Sequence, residues 1–223
     1  MRHVVIVSAG TSQPSTTRML ADRIAAAALE RLGELDIPAT AEVIEVAPLA
    51  VDVARASVSG VPSAELQAAI EQIAGADAVI ASAPVYKAGL SGLFKTFIDV
   101  LDNDLLVAKP VVLAATAGSG RHALVVDDQM RPLFAYMRAL TMPTSVFAAA
   151  EDWSSAELGE RIQRAAIELA VVIQGNIEQG IADRAWSGYQ HAFAGNATRA
   201  EQTSADVDFD SPMMRLAAGG RAD

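Results

Sequence analysis

Six hydroxyl side chains, Ser8, Thr11, Ser12, Ser15, Thr16 and Thr17, lie in the stretch SAGTSQPSTTR, between an apolar β-branched run and a segment of helical spacing. Hydroxyls donate hydrogen bonds without adding charge. A helix N-terminus adds unpaired N–H groups and the positive end of the helix dipole. Together these groups could wrap a terminal phosphate. The stretch has no GK[ST], so it is not a Walker loop, and Gly10 is its single glycine, so it is not a dinucleotide fingerprint. A polar turn before an ordinary capped helix has the same composition.

Two further stretches carry candidate chemistry. In PVYKAGLSG, Pro84, Gly89 and Gly92 predict a stiff, tight turn. Val85 and Tyr86 could set an apolar surface beside a planar ring, and Lys87 adds a positive charge at the mouth. A Tyr covering the core edge beside a solvated Lys would read the same way. In TAGSGRHA, Gly118 to Ala123 fits G-x-G-x-x-A. Thr116, Ala117, Gly118 and Ser119 could instead form a flat ledge whose N–H groups face the carbonyl edge of a ring. Arg121 could join Lys87 in attracting cofactor phosphates. His3, His122 and His191 have no metal-site spacing. No G-x-S-x-G elbow is present. Asp99, Asp102 and Asp104 read as solvated or capping groups.

The elements that must position these stretches alternate. Strands are predicted over 3–8, 42–46, 78–83 (ended by Pro84), 110–116 and 145–149. Helices are predicted over 15–32, 63–74, 93–101, 123–140 (kinked at Pro132) and 155–177, and residues 51–62 read as a loop. Continuous apolar strands between helices imply a parallel sheet buried on both faces. The expected fold is α/β, a doubly wound five-stranded sheet in three layers with flavodoxin-like order 2-1-3-4-5. In such sheets ligands bind beyond the carboxyl ends of the strands. The three stretches follow strands one, three and four.

Of 223 residues, 52% are hydrophobic and 5% aromatic, which suits helix–sheet packing through small side chains. There is no cysteine, which excludes disulfides, thiolate metal sites and cysteine nucleophiles. The net charge of −10 comes with no basic stripe, so no nucleic-acid partner is expected. No segment reaches the ~18 continuous apolar residues of a membrane helix, and a cytoplasmic protein is expected. Residues 1–178 read as one domain. Residues 179–223 read as a largely mobile tail in which Trp186, Tyr189 and Phe193 could dock on a neighbouring subunit.

The three stretches together resemble the NAD(P)H-dependent FMN reductases of flavodoxin-like fold, and within them the reductases that supply reduced flavin to two-component monooxygenases. The likeness covers roughly residues 1–177. P-x-Y-K with its glycine turn, followed by L-x-K-x-x-x-D, is the specific part. The first loop departs from the usual G-S-x-R start. The resemblance implies hydride transfer from a nicotinamide nucleotide to FMN. It implies that Ser8, Thr11, Ser12, Ser15, Thr16 and Thr17 hold the FMN phosphate. Pro84, Val85, Tyr86 and Lys87 would border the ring, and Thr116, Ala117, Gly118 and Ser119 would lie near its pyrimidine edge. No side-chain acid or base is required. It also implies a homodimer or homotetramer and a flavin-dependent monooxygenase as partner. A quinone or azo reductase with tightly held FMN, or an electron carrier that does not oxidise NAD(P)H, is the alternative on the same fold.

Overall fold

A computed structural model describes residues 1–186. Strand β1 (Arg2–Ser8) leads into helix α1 (Thr16–Glu34), then β2 (Ala39–Glu45), α2 (Ala50–Ser59) and α3 (Ala64–Gly75). Next come β3 (Ala78–Tyr86), β4 (Gly89–Leu90), α4 (Gly92–Asp99) and β5 (Pro110–Ala117). The chain ends its described part with α5 (Arg131–Tyr136), β6 (Leu140–Thr141), β7 (Val146–Ala149), α6 (Ala156–Gln174) and α7 (Ile177–Ile181).

The sheet order is β2-β1-β3-β5, with β6 and β7 both on the free side of β5. β6 pairs with Pro110 and Val111, and β7 pairs with Ala114 to Ala117, so the two are one interrupted edge strand. The main lanes therefore follow the expected 2-1-3-4-5 order, all parallel. Alternation splits the core in two. Val4 and Ile6 face α1 and α6, with Leu20, Ile24 and Leu169 buried against them. Val5 and Val7 face the other layer, with Ile70, Phe94 and Phe134. A period of two on strands covered on both sides explains why their sequence reads as continuous apolar runs.

Local signals placed three of the helix starts. Ser15, Ser63 and Ser155 each accept the N–H of the third residue into the helix (Arg18, Leu66 and Leu158) at 3.2 Å.

Several expectations are corrected. Residues 51–62 are not a loop: α2 runs over Ala50–Ser59 and stops at Gly60, φ 71°. Its start has no side-chain cap, and its buried face is only Val53 and Ala56, so neither helix signal was strong. Pro84 does not end the third strand. It needs no N–H partner there, and β3 continues to Tyr86 before folding back as β4. The helix expected over 123–140 is a wide π-type turn over Val126–Met130 joined to a short α5. Pro132 has no N–H for the Asp128 carbonyl and its ring would press on it, which the wider turn accommodates.

Asp102 and Asp104 are not solvated. Both are buried; Asp102 caps the N–H of Asp104 at 2.6 Å, and Asp104 accepts from Arg138 at 2.6 Å. Asp99 is exposed and paired with Lys95. The expected final helix over 155–177 is broken at Gly175 and Asn176 into α6 and α7. Beyond it, Trp186 lies under the Arg138 guanidinium of its own chain, 5.4 Å from the ring centroid. Tyr189, Phe193 and the rest of the expected tail lie outside the described residues.

Candidate flavin site

The parallel lanes bring the ends of β1, β3 and β5 side by side, since Ser8 pairs with Ser82 and Pro84 with Thr116. The three sequence stretches thus meet at one edge of the sheet.

The first loop folds tightly onto the start of α1. A Cβ at Gly10 would lie 1.9 Å from the Ser15 hydroxyl and 3.2 Å from the Thr17 Cβ, so any larger residue must displace the Ser15 hydroxyl. The Ser15 hydroxyl takes the Arg18 N–H, and its carbonyl takes that of Met19. By helix geometry the N–H groups of Thr16 and Thr17 stay directed out of the N-terminus. Thr11, Ser12 and Thr16 are exposed, and Ser15 is half-buried. The Ser12 hydroxyl donates to the Pro14 carbonyl at 3.0 Å.

The other two predicted phosphate ligands sit deeper. Ser8 is buried at the end of β1. Thr17 is buried and its hydroxyl meets that of Thr116 at 2.7 Å. The Thr17 carbonyl accepts from the buried Ser82 hydroxyl at 2.9 Å. Thr17 therefore braces the loop against β5 with its side chain and against β3 through its carbonyl, while its N–H remains at the helix end.

The second loop is a two-residue hairpin. Val85 pairs with Leu90 and Tyr86 with Gly89, leaving Lys87 and Ala88 at the tip with φ of 52° and 66°. Tyr86 is 49% exposed, and its hydroxyl bonds that of Thr11 at 2.9 Å. Pro84 is buried, Val85 half-buried and Lys87 exposed. Ser91 caps α4 by accepting the Phe94 N–H at 3.2 Å, which fixes the exit of the loop.

The third loop leaves β5 at Ala117. Gly118 is exposed and Ser119 half-buried. The G-x-G-x-x-A run opens only a 3₁₀ turn over Gly120–His122, not the long helix that a dinucleotide fingerprint needs. The Gly120 N–H donates to Glu151 at 3.0 Å, which ties this loop to the end of β7. Arg121 is exposed at the rim.

Reading by motif missed the supporting residues Ser82, Gln129 and Glu151. Ser82 had a signal, a lone hydroxyl inside an otherwise apolar strand. Gln129 and Glu151 had none, because they act from 31 or more residues away. Arg18, beside the first loop, pairs with Asp22 at 2.7 Å and Glu45 at 2.8 Å. The hydrogen bond to Asp22 chiefly raises its pKa above the ordinary value. Among the described residues no cluster of His, Asp and Glu is placed to hold a metal.

Residues 1–154 match the family model described as NADPH-dependent FMN reductase. The chain belongs to the NADPH-dependent FMN reductase family. It is an oxidoreductase, and the substrates of its family are FMN and a nicotinamide nucleotide. An FMN reductase (NADPH) from Pseudomonas aeruginosa is 38% identical over 167 residues, covering 75% of this chain and 87% of the relative. The NADH-dependent FMN reductase SfnE from Pseudomonas putida is 41% identical over 185 residues, covering 78% and 92%. Among solved structures, an oxidoreductase from Corynebacterium diphtheriae is 42% identical, with a TM-score of 0.76 over 78% of this chain and 98% of that one.

FMN fits the residues present in this FMN reductase. The exposed Thr11, Ser12 and Thr16 hydroxyls and the two outward N–H groups of α1 suit a terminal phosphate. The half-exposed Tyr86 ring suits the edge of a flat heterocycle.

Proposed function

We propose that this reductase binds FMN across the three loops and releases it, reduced, to a flavin-dependent monooxygenase. The observation that carries the reading is the pair of hydroxyl–hydroxyl bonds, Thr11 to Tyr86 and Thr17 to Thr116, that tie the segments following β1, β3 and β5 together at one edge of the sheet. In this reading Thr11, Ser12, Ser15 and Thr16, with the N–H groups of Thr16 and Thr17, hold the phosphate. Ser8 and the Thr17 side chain support them from below. Pro84, Val85, Tyr86 and Lys87 border the ring, and Thr116, Ala117, Gly118 and Ser119 line its pyrimidine edge.

FMN, when bound, supplies the hydride-accepting chemistry. The chain's own contribution is binding and orientation. Tyr86 limits where the ring can lie, and the ledge at Gly118 and Ser119 offers N–H donors to the carbonyl edge. Lys87 and Arg121 offset the net charge of −10 for an incoming nicotinamide nucleotide. Tyr86 is the one Phe, Tyr or Trp in the three loops, and it is half exposed. A single half-exposed ring offers little stacking surface, which supports FMN as an exchanging substrate rather than a fixed group.

Large exposed apolar side chains on α2 and nearby, Val51, Val58 and Val61, with Leu124 and Tyr136, support a homodimer or homotetramer. A cysteine-free sequence suits the reducing cytoplasm.

The test is nicotinamide absorbance with the purified full chain, NADH or NADPH, and FMN added or withheld. Oxidation that requires added FMN is expected, and the faster nucleotide defines the preference. Full turnover of a quinone or azo dye on co-purified FMN alone would replace release with tight retention. FMN binding without nicotinamide oxidation would leave an electron carrier.

A further inference from the structure

The hairpin that carries Tyr86 has an unfavourable turn. Two-residue hairpins of this kind need positive φ at both central positions, which Asn and Gly supply readily. Here the positions are Lys87 and Ala88, at φ 52° and 66°. A side chain in the left-handed region is strained, and β4 is only two residues long. The hairpin therefore needs support from outside its own ladder.

Thr11 supports it at the Tyr86 hydroxyl, and Gln129 supports its returning strand. Gln129 Oε1 accepts the Leu90 N–H at 3.0 Å, 39 residues away in sequence. It approaches so closely that a Cβ at Gly89 would lie 3.3 Å from the same oxygen. Gln129 sits in the π-type turn Val126–Met130, where the Arg131 N–H reaches back to Val126. One residue more per turn rotates the following side chains by about 100° relative to an α-helix. Such turns are frequent at functional sites.

The turn itself is clamped. Val126 and Met130 are fully buried on its inner side. The Arg131 guanidinium binds Asp127 at 2.9 Å, the Thr141 hydroxyl at 3.0 Å and the Met142 carbonyl at 3.0 Å. Gln129 thus projects from a rigid mount onto a strained hairpin.

We infer that Gln129 is a positioning residue for flavin binding: by holding Leu90 it fixes the β3–β4 hairpin, and through it the Tyr86 ring. The inference rests on the flavin placement proposed above. Gln129 is exposed, so exchanging it leaves the core untouched.

The test compares full-length Gln129→Leu, Gln129→Glu and Tyr86→Ala. FMN affinity is read from quenching of FMN fluorescence, KM and kcat from turnover, and folding from a urea transition. Gln129→Leu is expected to raise both the Kd and the KM for FMN about fivefold, the size of one lost hydrogen bond, with kcat unchanged and the urea midpoint lowered by no more than that one bond contributes. Gln129→Glu keeps an acceptor at the same reach and should recover affinity to within about twofold. Parental affinity in Gln129→Leu, with weakened binding in Tyr86→Ala, would overturn the role of Gln129 and leave the flavin placement standing. Equal losses in the Leu and Glu variants would also overturn it, since the acceptor would not be the cause. Parental affinity in both Gln129→Leu and Tyr86→Ala would remove the flavin placement and the inference with it.

Discussion

Thr11 and Tyr86 stand 75 residues apart in the chain and meet hydroxyl to hydroxyl at 2.9 Å. Neither residue is buried, so the bond is a link between two loops rather than part of the core. It joins the proposed phosphate end of the site to the proposed ring end. Tyr86→Phe should keep the ring and lose the link, weakening FMN about threefold, whereas Tyr86→Ala should weaken it roughly tenfold or more. Fluorescence titration with FMN separates the two, and equal effects would show that the ring itself contributes nothing.

Gly10 packs directly on Ser15. A Cβ there overlaps the Ser15 hydroxyl, so Gly10→Ala must push Ser15 off the Arg18 N–H. A lost cap costs about 1 kcal/mol, which lowers Tm by about 2–4 °C in a chain of this size. FMN affinity should fall roughly tenfold in addition, because the loop that faces the phosphate moves. Calorimetry alongside FMN titration checks both. A parental FMN affinity would remove the first loop from the site.

The buried Thr17–Thr116 pair lends itself to a double-mutant cycle. Thr17→Val leaves the Thr116 hydroxyl without this partner and should cost about 1–3 kcal/mol in urea unfolding. Replacing both by Val removes both polar groups and should cost less than the sum of the two single changes. Additive losses would mean that the two hydroxyls are not coupled.

At the opposite end of the sheet, the Lys109 side chain is 4% exposed and pairs with Glu178 of α7 at 2.9 Å. Its ammonium also donates to the carbonyls of Ala74 and Ala76. Glu178→Ala leaves a buried cation with carbonyls alone. Because Glu178 is itself 29% exposed, the expected loss is about 1–3 kcal/mol, below that of a fully buried pair. The KM for FMN should not move, since this pair lies away from the three loops. A large change in KM would show that α7 reaches the site through the sheet.

Much of this protein was legible locally. Apolar runs such as Val4 to Val7, helix starts at Ser15, Ser63 and Ser155, and helical spacing are properties of neighbouring residues, so they located the elements without the fold. The alternation of strands and helices then implied the parallel sheet, and the parallel sheet implied which loops share an edge. Where local rules competed, the reading failed: Pro84 looked like a strand end because a missing N–H matters only if a neighbour needs it, and Pro132 looked like a kink rather than the reason for a wider turn.

The sequence by itself determined the fold class and the three stretches that follow the strands, because each rests on contacts a few residues long or on rules of connection; the order 2-1-3-4-5 was one arrangement that suited the pattern, and the structure decided it. Only the tertiary structure decided what each hydroxyl in those stretches does. Thr11 and Thr17 look alike in the sequence, yet one faces Tyr86 at the surface and the other is sealed against Thr116. The difference comes from which strand ends lie next to each other in space, and that is fixed by burial of both faces of the sheet, not by any property of the first loop alone.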